Sequence, residues 1–113
     1  MTYKIRIVKP AQTEIREIYR YITEQLKNPA AARRLISLID KEIQSLKENP
    51  GRFALVSDPY LASKGYRKIV VRNHLVFFIV REKEQVVSVM RVLYGRRDWM
   101  TLLKEDMKNM EDL

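Results

Sequence analysis

The strongest constraint on the fold of this 113-residue chain is a change in the spacing of its apolar residues. In residues 11–48 they recur every three to four positions, which is the period of an amphipathic helix. From residue 66 onward they form short runs rich in Val, Ile and Phe, which are typical of β-strands. A chain that combines both patterns is expected to fold as an α+β protein.

The first half of the chain predicts one strand and two helices. Residues 3–7 alternate apolar and basic side chains, as a half-buried strand does, and Lys9-Pro10 ends the strand. From Ala11 the apolar stripe of a first helix comprises Ile15, Ile18, Tyr19, Ile22 and Leu26. Asn28 is the predicted N-cap and Pro29 the first residue of a second helix, which stops near Asn49-Pro50-Gly51. The stripe of this second helix comprises Ala32, Leu35, Ile39, Ile43 and Leu46. Two helices joined by a two-residue connection make an αα-hairpin over residues 11–48.

The second half predicts a loop, three strands and a short helix. Residues 52–65 have no clean period and contain Asp58-Pro59, so they are expected to form a loop. The three strands, which form an antiparallel meander, are predicted at Tyr66–Val71, Leu75–Arg81 and Val86–Leu93. Asp98 can cap the last helix, whose apolar positions are Trp99, Leu102, Leu103 and Met107. The predicted order is β-α-α-β-β-β-α in one domain over residues 1–113, with residues 104–113 as an acidic helical or frayed tail, and with Trp99 in the core.

Length and composition exclude several classes of protein. A chain of this size can bury one core, and its lack of cysteine excludes a disulfide scaffold and a thiolate metal site. Met1 is followed by polar and basic residues, so we expect no signal peptide, and no apolar stretch approaches ~20 residues. We therefore expect a cytoplasmic protein that binds no membrane, no metal and no cofactor.

The net charge of +8 favours an anionic partner. The last ten residues contain two lysines and four acidic residues, so the basic excess belongs to the rest of the chain. Between Lys64 and Arg81 there are five basic residues and no acidic one. Such a surface suits a nucleic acid or an acidic protein segment, although basic strands can also serve solubility alone.

The stretch RVLYGRRDW, residues 91–99, gathers three arginines and a tyrosine at the end of the last strand. The strand period predicts that Arg91 shares a face with Val89 and Leu93. If that face packs against the hairpin, Arg91 must pair with an acid or reach the edge; if the face is open, Arg91 joins a basic surface. A solvated cluster with one salt bridge to Asp98 would contribute only ~0–1 kcal/mol, so stability alone gives little reason for it.

Four strings in this order resemble the RelE/ParE superfamily of bacterial type II toxins, and the resemblance covers residues 3–103. The strings are Ala11…Glu14-Ile15…Ile18…Tyr21-Ile22, Tyr66-Arg67-Lys68-Ile69, Asn73-His74-Leu75-Val76-Phe77-Phe78 and Arg91-Val92-Leu93-Tyr94-Gly95-Arg96-Arg97-Asp98. The resemblance implies a toxin that a cognate antitoxin, usually encoded beside it, holds inactive.

The superfamily has two activities, and the resemblance leaves both open for this chain. RelE-like members cut mRNA in the ribosomal A site, which requires a base, a cation for the phosphate and an acid. By resemblance the catalytic residues of such an endoribonuclease would be Lys68, Tyr94 and Arg96, and His74 could substitute as the base because its ordinary pKa is ~6.5. However, Leu75 stands where those enzymes carry an arginine, and leucine can neither stabilise a phosphorane nor move a proton.

ParE-like members poison DNA gyrase and are not thought to cut nucleic acid themselves. The long hairpin, the His-aliphatic-Val-Phe start of the third strand and the basic ending with Arg-Asp resemble this branch, although many ParE-like chains have His where Tyr94 stands. We therefore expect a non-catalytic gyrase poison, with the ribosome and mRNA as the alternative target. The residues predicted to dock a target or an acidic antitoxin segment are Arg67, Arg72, Arg91, Arg96, Arg97 and Asp98.

Overall fold

The computed structural model describes residues 2–111, and it confirms an α+β fold with a helical hairpin on a sheet. The elements are β1 (Lys4–Ile7), α1 (Lys9–Arg20), α2 (Pro29–Gln44), α3 (Pro59–Ser63), β2 (Tyr66–Val71), β3 (His74–Arg81), β4 (Val86–Tyr94) and α4 (Trp99–Glu111). A π-helical turn (Tyr21–Gln25) continues α1, and 3₁₀ turns occupy Ser45–Lys47 and Pro50–Arg52. The predicted tail of residues 104–113 is helical as far as Glu111, and residues 112 and 113, like Met1, lie outside the described range.

The sheet has the strand order β1-β4-β3-β2. β2, β3 and β4 form the predicted antiparallel meander, whereas β1 pairs with β4 in parallel. The hairpin covers one face, where Ile39, Ile43 and Phe78 belong to one buried cluster. On the other face α3 and α4 cover a second cluster, in which Leu61 and Leu103 are fully buried. The sheet therefore has apolar side chains on both faces, and its interior strands β3 and β4 are almost wholly buried.

The hairpin begins and turns where local chemistry allows it. Pro10 lies in the first turn of α1, where a missing N–H costs nothing, so α1 starts two positions before the predicted Ala11. Asn28 caps α2 as predicted, because its Oδ1 accepts a hydrogen bond from the Ala31 N–H at 3.1 Å. The π turn was not predicted; in it the Leu26 N–H donates to the carbonyl oxygen of Tyr21 at 3.2 Å.

The prediction of an unbroken loop over residues 52–65 is wrong, because α3 lies within it. The Asp58 carboxylate accepts a hydrogen bond from the Leu61 N–H at 3.0 Å, and Pro59 takes the first helical position. Asp-Pro therefore starts a helix here. A helix of five residues is too short to show a period in the sequence.

A β-bulge in β4 separates Val89 from the face that it was predicted to share with Arg91. Phe78 pairs with Val89 and Phe77 pairs with Arg91, so Met90 is an extra residue on β4. Arg91 lies across from Phe77, which belongs to the same cluster as Leu93, whereas Val89 lies in the cluster under the hairpin. The predicted shared face therefore holds for Arg91 and Leu93 but is wrong for Val89, because the extra residue shifts the alternation by one position.

Arg91 joins three elements through two carboxylates. Its Nη2 lies 2.8 Å from Oε2 of Glu14 on α1, and its Nη1 lies 3.0 Å from Oδ2 of Asp106 on α4. Glu14 also accepts a hydrogen bond from the Val92 N–H at 3.0 Å, on the side of β4 where the paired residues of β1 have ended. The hydrogen bonds to Glu14, with those to Asp106, raise the pKa of Arg91 above its ordinary value. Pairing with an acid, one of the two predicted outcomes for Arg91, is therefore the observed one.

Glu14→Gln is expected to lower the free energy of unfolding by about 3 kcal/mol, because it removes the main partner of a guanidinium that is only 14% exposed. Asp106→Asn should cost about 1 kcal/mol, since that carboxylate is 29% exposed and Arg91 keeps Glu14. Urea denaturation measures both, with Glu17→Gln on the exposed side of the same helix as the control. Equal losses for Glu14→Gln and Glu17→Gln would contradict this account of the network.

Candidate functional site

Two turns meet at the end of the sheet where β3 begins and β4 ends. The Gly95 N–H donates a hydrogen bond to the carbonyl oxygen of Asn73 at 2.8 Å. A Cβ at Gly95 would lie 3.2 Å from that oxygen, so glycine permits the close approach. Arg72 holds the β2–β3 turn with a left-handed φ of 57°. We call Arg72, Asn73 and Tyr94 the ridge, because these residues line a hollow on each side of the turns.

The larger hollow, which we call the hairpin groove, lies between the ridge and the end of the helical hairpin where α1 connects to α2. It has a volume of about 920 Å³. Besides the ridge, its lining residues are Glu14, Glu17, Ile18, Tyr21, Ile22, Leu26, Ala31, Leu35, His74, Val92, Leu93 and Arg97. Leu26 and Tyr21 are each 56% exposed, so apolar surface at the hairpin end is uncovered. The groove therefore has an apolar wall with arginines at the sheet end.

The smaller hollow, which we call the basic shelf, lies on the other side of the ridge. It has a volume of about 280 Å³ and is lined by Val70, Leu75, Gly95 and Arg96 in addition to the ridge. Among the described residues, no acidic side chain lines it. Arg96 and Arg97 are neighbours in the chain, yet Arg96 lines the shelf and Arg97 lines the groove.

The arginines at this end have no carboxylate partner within the described range. Arg72, Arg96 and Arg97 are exposed, and within residues 2–111 none of them forms a salt bridge. The salt bridge to Asp98 that would accompany a merely solvated cluster is also not formed within residues 2–111. Asp98 instead caps α4, as predicted, by accepting hydrogen bonds from Oγ1 of Thr101 at 2.7 Å and from its N–H at 3.3 Å. These hydrogen bonds lower the pKa of Asp98.

The structure places the other predicted docking residues elsewhere. Arg91 is held by Glu14 and Asp106, as described above, and is not part of the exposed surface. Arg67 donates a hydrogen bond to the carbonyl oxygen of Phe53, so it ties the preceding segment to β2. Of the six residues predicted to dock a partner, only Arg72, Arg96 and Arg97 come together around the ridge.

The four predicted catalytic residues do not share one hollow. Lys68 lies across from Phe77 and places its Nζ 5.2 Å from the centroid of the Trp99 ring, on the face covered by α4. His74 lies at the other end of β3 and on the opposite face, where it lines the hairpin groove. Its ring meets that of Tyr94 edge-to-face at 5.6 Å. Arg96 lines only the shelf.

Burial shapes the chemistry of His74 and Trp99. Trp99 packs against Phe77 with ring centroids 5.1 Å apart, which agrees with its predicted place in the core. His74 is half-buried, and its Nδ1 has no hydrogen-bond partner within residues 2–111. This burial lowers the pKa of His74, so the imidazole is neutral near pH 7.

The hairpin groove itself was missed by sequence reasoning. The helical stripe predicted Leu26 to be buried, but it lies where the hairpin projects beyond the sheet and is exposed. The only sequence signal is that Leu26 is the last residue of the stripe and stands two positions before the Asn28 cap.

Within residues 2–111, no helix has the length and apolarity to cross a bilayer, and no cluster of three His, Cys, Asp or Glu side chains could hold a metal ion.

Solved structures with this fold come from toxin–antitoxin systems. The chromosomal ParDE system of P. aeruginosa shares 15% identity, with a TM-score of 0.67 over 82% of this chain and 96% of that one. The RelBE2 complex of Mycobacterium tuberculosis shares 14% identity, with a TM-score of 0.63 over 83% and 99%. The intact RelBE complex of E. coli shares 22% identity, with a TM-score of 0.53 over 84% and 99%. These likenesses show that the chain shares its fold with these structures.

A family match identifies the chain more specifically than the likeness of its fold does. Residues 5–99 match the family described as the ParE toxin of the type II toxin–antitoxin system parDE. The chain therefore belongs to this family of type II toxin–antitoxin toxins. Among curated proteins, none matches the sequence of this chain.

Because His74 is the only histidine, its titration can be followed without assignment ambiguity. Its NMR midpoint should lie below the ordinary value of ~6.5, because burial disfavours the charged ring. The unfolded chain then binds the proton more readily, so His74 should reduce stability as the pH falls from 7 toward 5. His74→Gln should lose less stability over that range in urea denaturation. A midpoint at or above ~6.5 would be inconsistent with the buried ring.

Proposed function

We propose that this toxin arrests growth by poisoning DNA gyrase and does not cut mRNA. The observation that carries the proposal is the separation of Lys68 from His74 on opposite faces of the sheet. Leu75, in the position where RelE-like enzymes carry an arginine, is 8% exposed and belongs to the apolar cluster under α4. Membership of the ParE toxin family supports the same target.

Cutting RNA requires its catalytic groups at one phosphate. The base must reach the 2′-OH, and a cation must lie beside the charge that develops on the phosphate. The Lys68 ammonium group lies over Trp99, and the His74 ring lies in the groove on the other side of the sheet. The body of the sheet therefore stands between the two groups that the resemblance assigned to this reaction.

The alternative, a ribosome-dependent mRNA endoribonuclease, is favoured by one local arrangement. His74 contacts Tyr94 and lines the groove, and Tyr94 also lines the shelf beside Arg96. These three residues could supply a base, an acid and a cation without Lys68. A kinetic test separates the two functions.

Purified toxin should stabilise cleaved gyrase–DNA complexes and inhibit supercoiling, and it should leave mRNA on programmed ribosomes intact. Lys68→Ala and His74→Ala should both still poison gyrase, because the proposed poisoning does not require the toxin to cleave a bond. If the toxin instead cuts mRNA, and His74→Ala lowers that rate ~10²-fold as expected for an acid–base group, the ribonuclease is the correct function.

We further propose that the cognate antitoxin occupies the hairpin groove. Two of the similar structures are toxin–antitoxin complexes by name, RelBE2 of M. tuberculosis and RelBE of E. coli. The groove offers uncovered apolar surface at Leu26 and Tyr21, with Arg72 and Arg97 at its other end. An amphipathic segment with apolar residues toward the hairpin and acidic residues near Arg97 would match both properties.

Leu26→Asn should weaken antitoxin binding at least thirtyfold, because a large exposed apolar side chain that becomes buried in an interface can contribute ~2 kcal/mol. Leu55→Asn is the matched control, since Leu55 is 45% exposed and lies outside the groove. Calorimetry gives the affinities, and co-expression shows whether the antitoxin still restores growth. If both variants bind like the unmodified toxin, the antitoxin docks elsewhere.

A further inference from the structure

We propose that the basic shelf binds the phosphate backbone of duplex DNA, on the side of the ridge away from the hairpin groove. This inference goes beyond gyrase poisoning, because it assigns the toxin a direct contact with nucleic acid. The choice of DNA over RNA rests on the proposed function, whereas the binding of phosphate rests on the shelf alone.

The positive charge of the arginines at the shelf is not neutralised by neighbouring acidic side chains. Arg72 and Arg96 have no carboxylate partner within residues 2–111, and no acidic residue lies between Lys64 and Arg81. The nearest acid in the chain, Asp98, is occupied by Thr101 at the start of α4. Two guanidinium groups in such a place can each offer paired N–H donors to a phosphate oxygen pair.

The backbone that carries the two arginines is closely held. Arg72 lies in a two-residue turn with a left-handed φ, and the Gly95 N–H is bonded to the carbonyl oxygen of Asn73. Arg96 directly follows Gly95, so both side chains start from turns that are joined to each other. The backbone positions from which the two guanidinium groups would reach a phosphate are therefore set before binding.

The two hollows differ in the partner that they suit. The groove contains Glu17 and a long apolar wall, which disfavour a polyanion and favour an amphipathic protein segment. The shelf is smaller and open, has no acidic lining residue within residues 2–111, and offers Val70 and the Tyr94 ring as its exposed apolar contacts. It therefore suits a compact anionic group better than a protein segment. Phosphates spaced along a duplex present such groups in a row.

The test measures binding of a fluorescent 20-base-pair duplex, chosen as a probe, by anisotropy across a salt series, without gyrase. Arg72→Asn with Arg96→Ala removes two phosphate contacts, and Asn tolerates the left-handed turn at position 72. The salt slope should fall by about 1.8, which corresponds to roughly 60-fold weaker binding at 0.1 M salt and little change at 1 M. The matched control is Lys4→Ala with Arg6→Ala, two exposed basic residues on β1 at the opposite edge of the sheet.

Several results would overturn the proposal. They are no duplex binding by the wild type at low salt, an equal loss in the control variant, a loss of antitoxin affinity in place of DNA affinity, and binding of RNA of the same sequence but not of DNA. Arg96→Ala alone, which changes no regular element, should show half of the slope change if the double variant is unstable. A toxin that binds DNA but fails to trap gyrase complexes would refute the proposed function and leave the shelf intact.

Discussion

The arrangement of the domain depends on the two salt bridges that the Arg91 guanidinium makes with Glu14 and Asp106. The guanidinium holds Glu14 of the hairpin and Asp106 of α4 at the point where β1 has ended, and Glu14 takes the Val92 N–H in place of a neighbouring strand. Burying these charges would cost stability if any were unpaired, and here each has a partner. The hairpin, the sheet and the last helix are thereby fixed relative to one another, so the width of the hairpin groove is set by this network.

The same network explains which arginines are left for function. Arg91 is paired with Glu14 and Asp106. Arg72, Arg96 and Arg97, around the ridge, have no carboxylate partner within residues 2–111. Arg96 and Arg97 then diverge to the two sides of one turn. Arg96 and Arg97 can therefore serve the two proposed binding events separately, Arg97 with an antitoxin in the groove and Arg96 with a polyanion on the shelf. Replacement of one arginine need not abolish the binding event of the other.

Much of the fold was readable from the sequence because helices and strands have different apolar periods and because Asn28 and Asp98 are strong capping residues. The bulge at Met90 was not readable, since an extra residue in an all-apolar strand leaves the composition unchanged. That single residue placed Val89 on the face opposite to Arg91, and the pairing of Arg91 with Glu14 and Asp106 removed it from the candidate site. The groove and the shelf depend on how the hairpin end lies against the β2–β3 turn, which is a tertiary property. Sequence reasoning therefore found Arg72, Arg96 and Arg97 but not their division between two hollows.

The parallel pairing of β1 with β4 has a consequence for the synthesis of the protein. β4 is the last strand to be made, yet it lies between β1 and β3, and Lys4 pairs with Val86. The sheet cannot be completed on a growing chain until almost all of it has left the ribosome, and pairings so distant in sequence form slowly. A nascent or truncated chain that lacks β4 has neither Arg91 nor Tyr94. The strand order thus delays completion of the sheet until almost the whole chain has been synthesised.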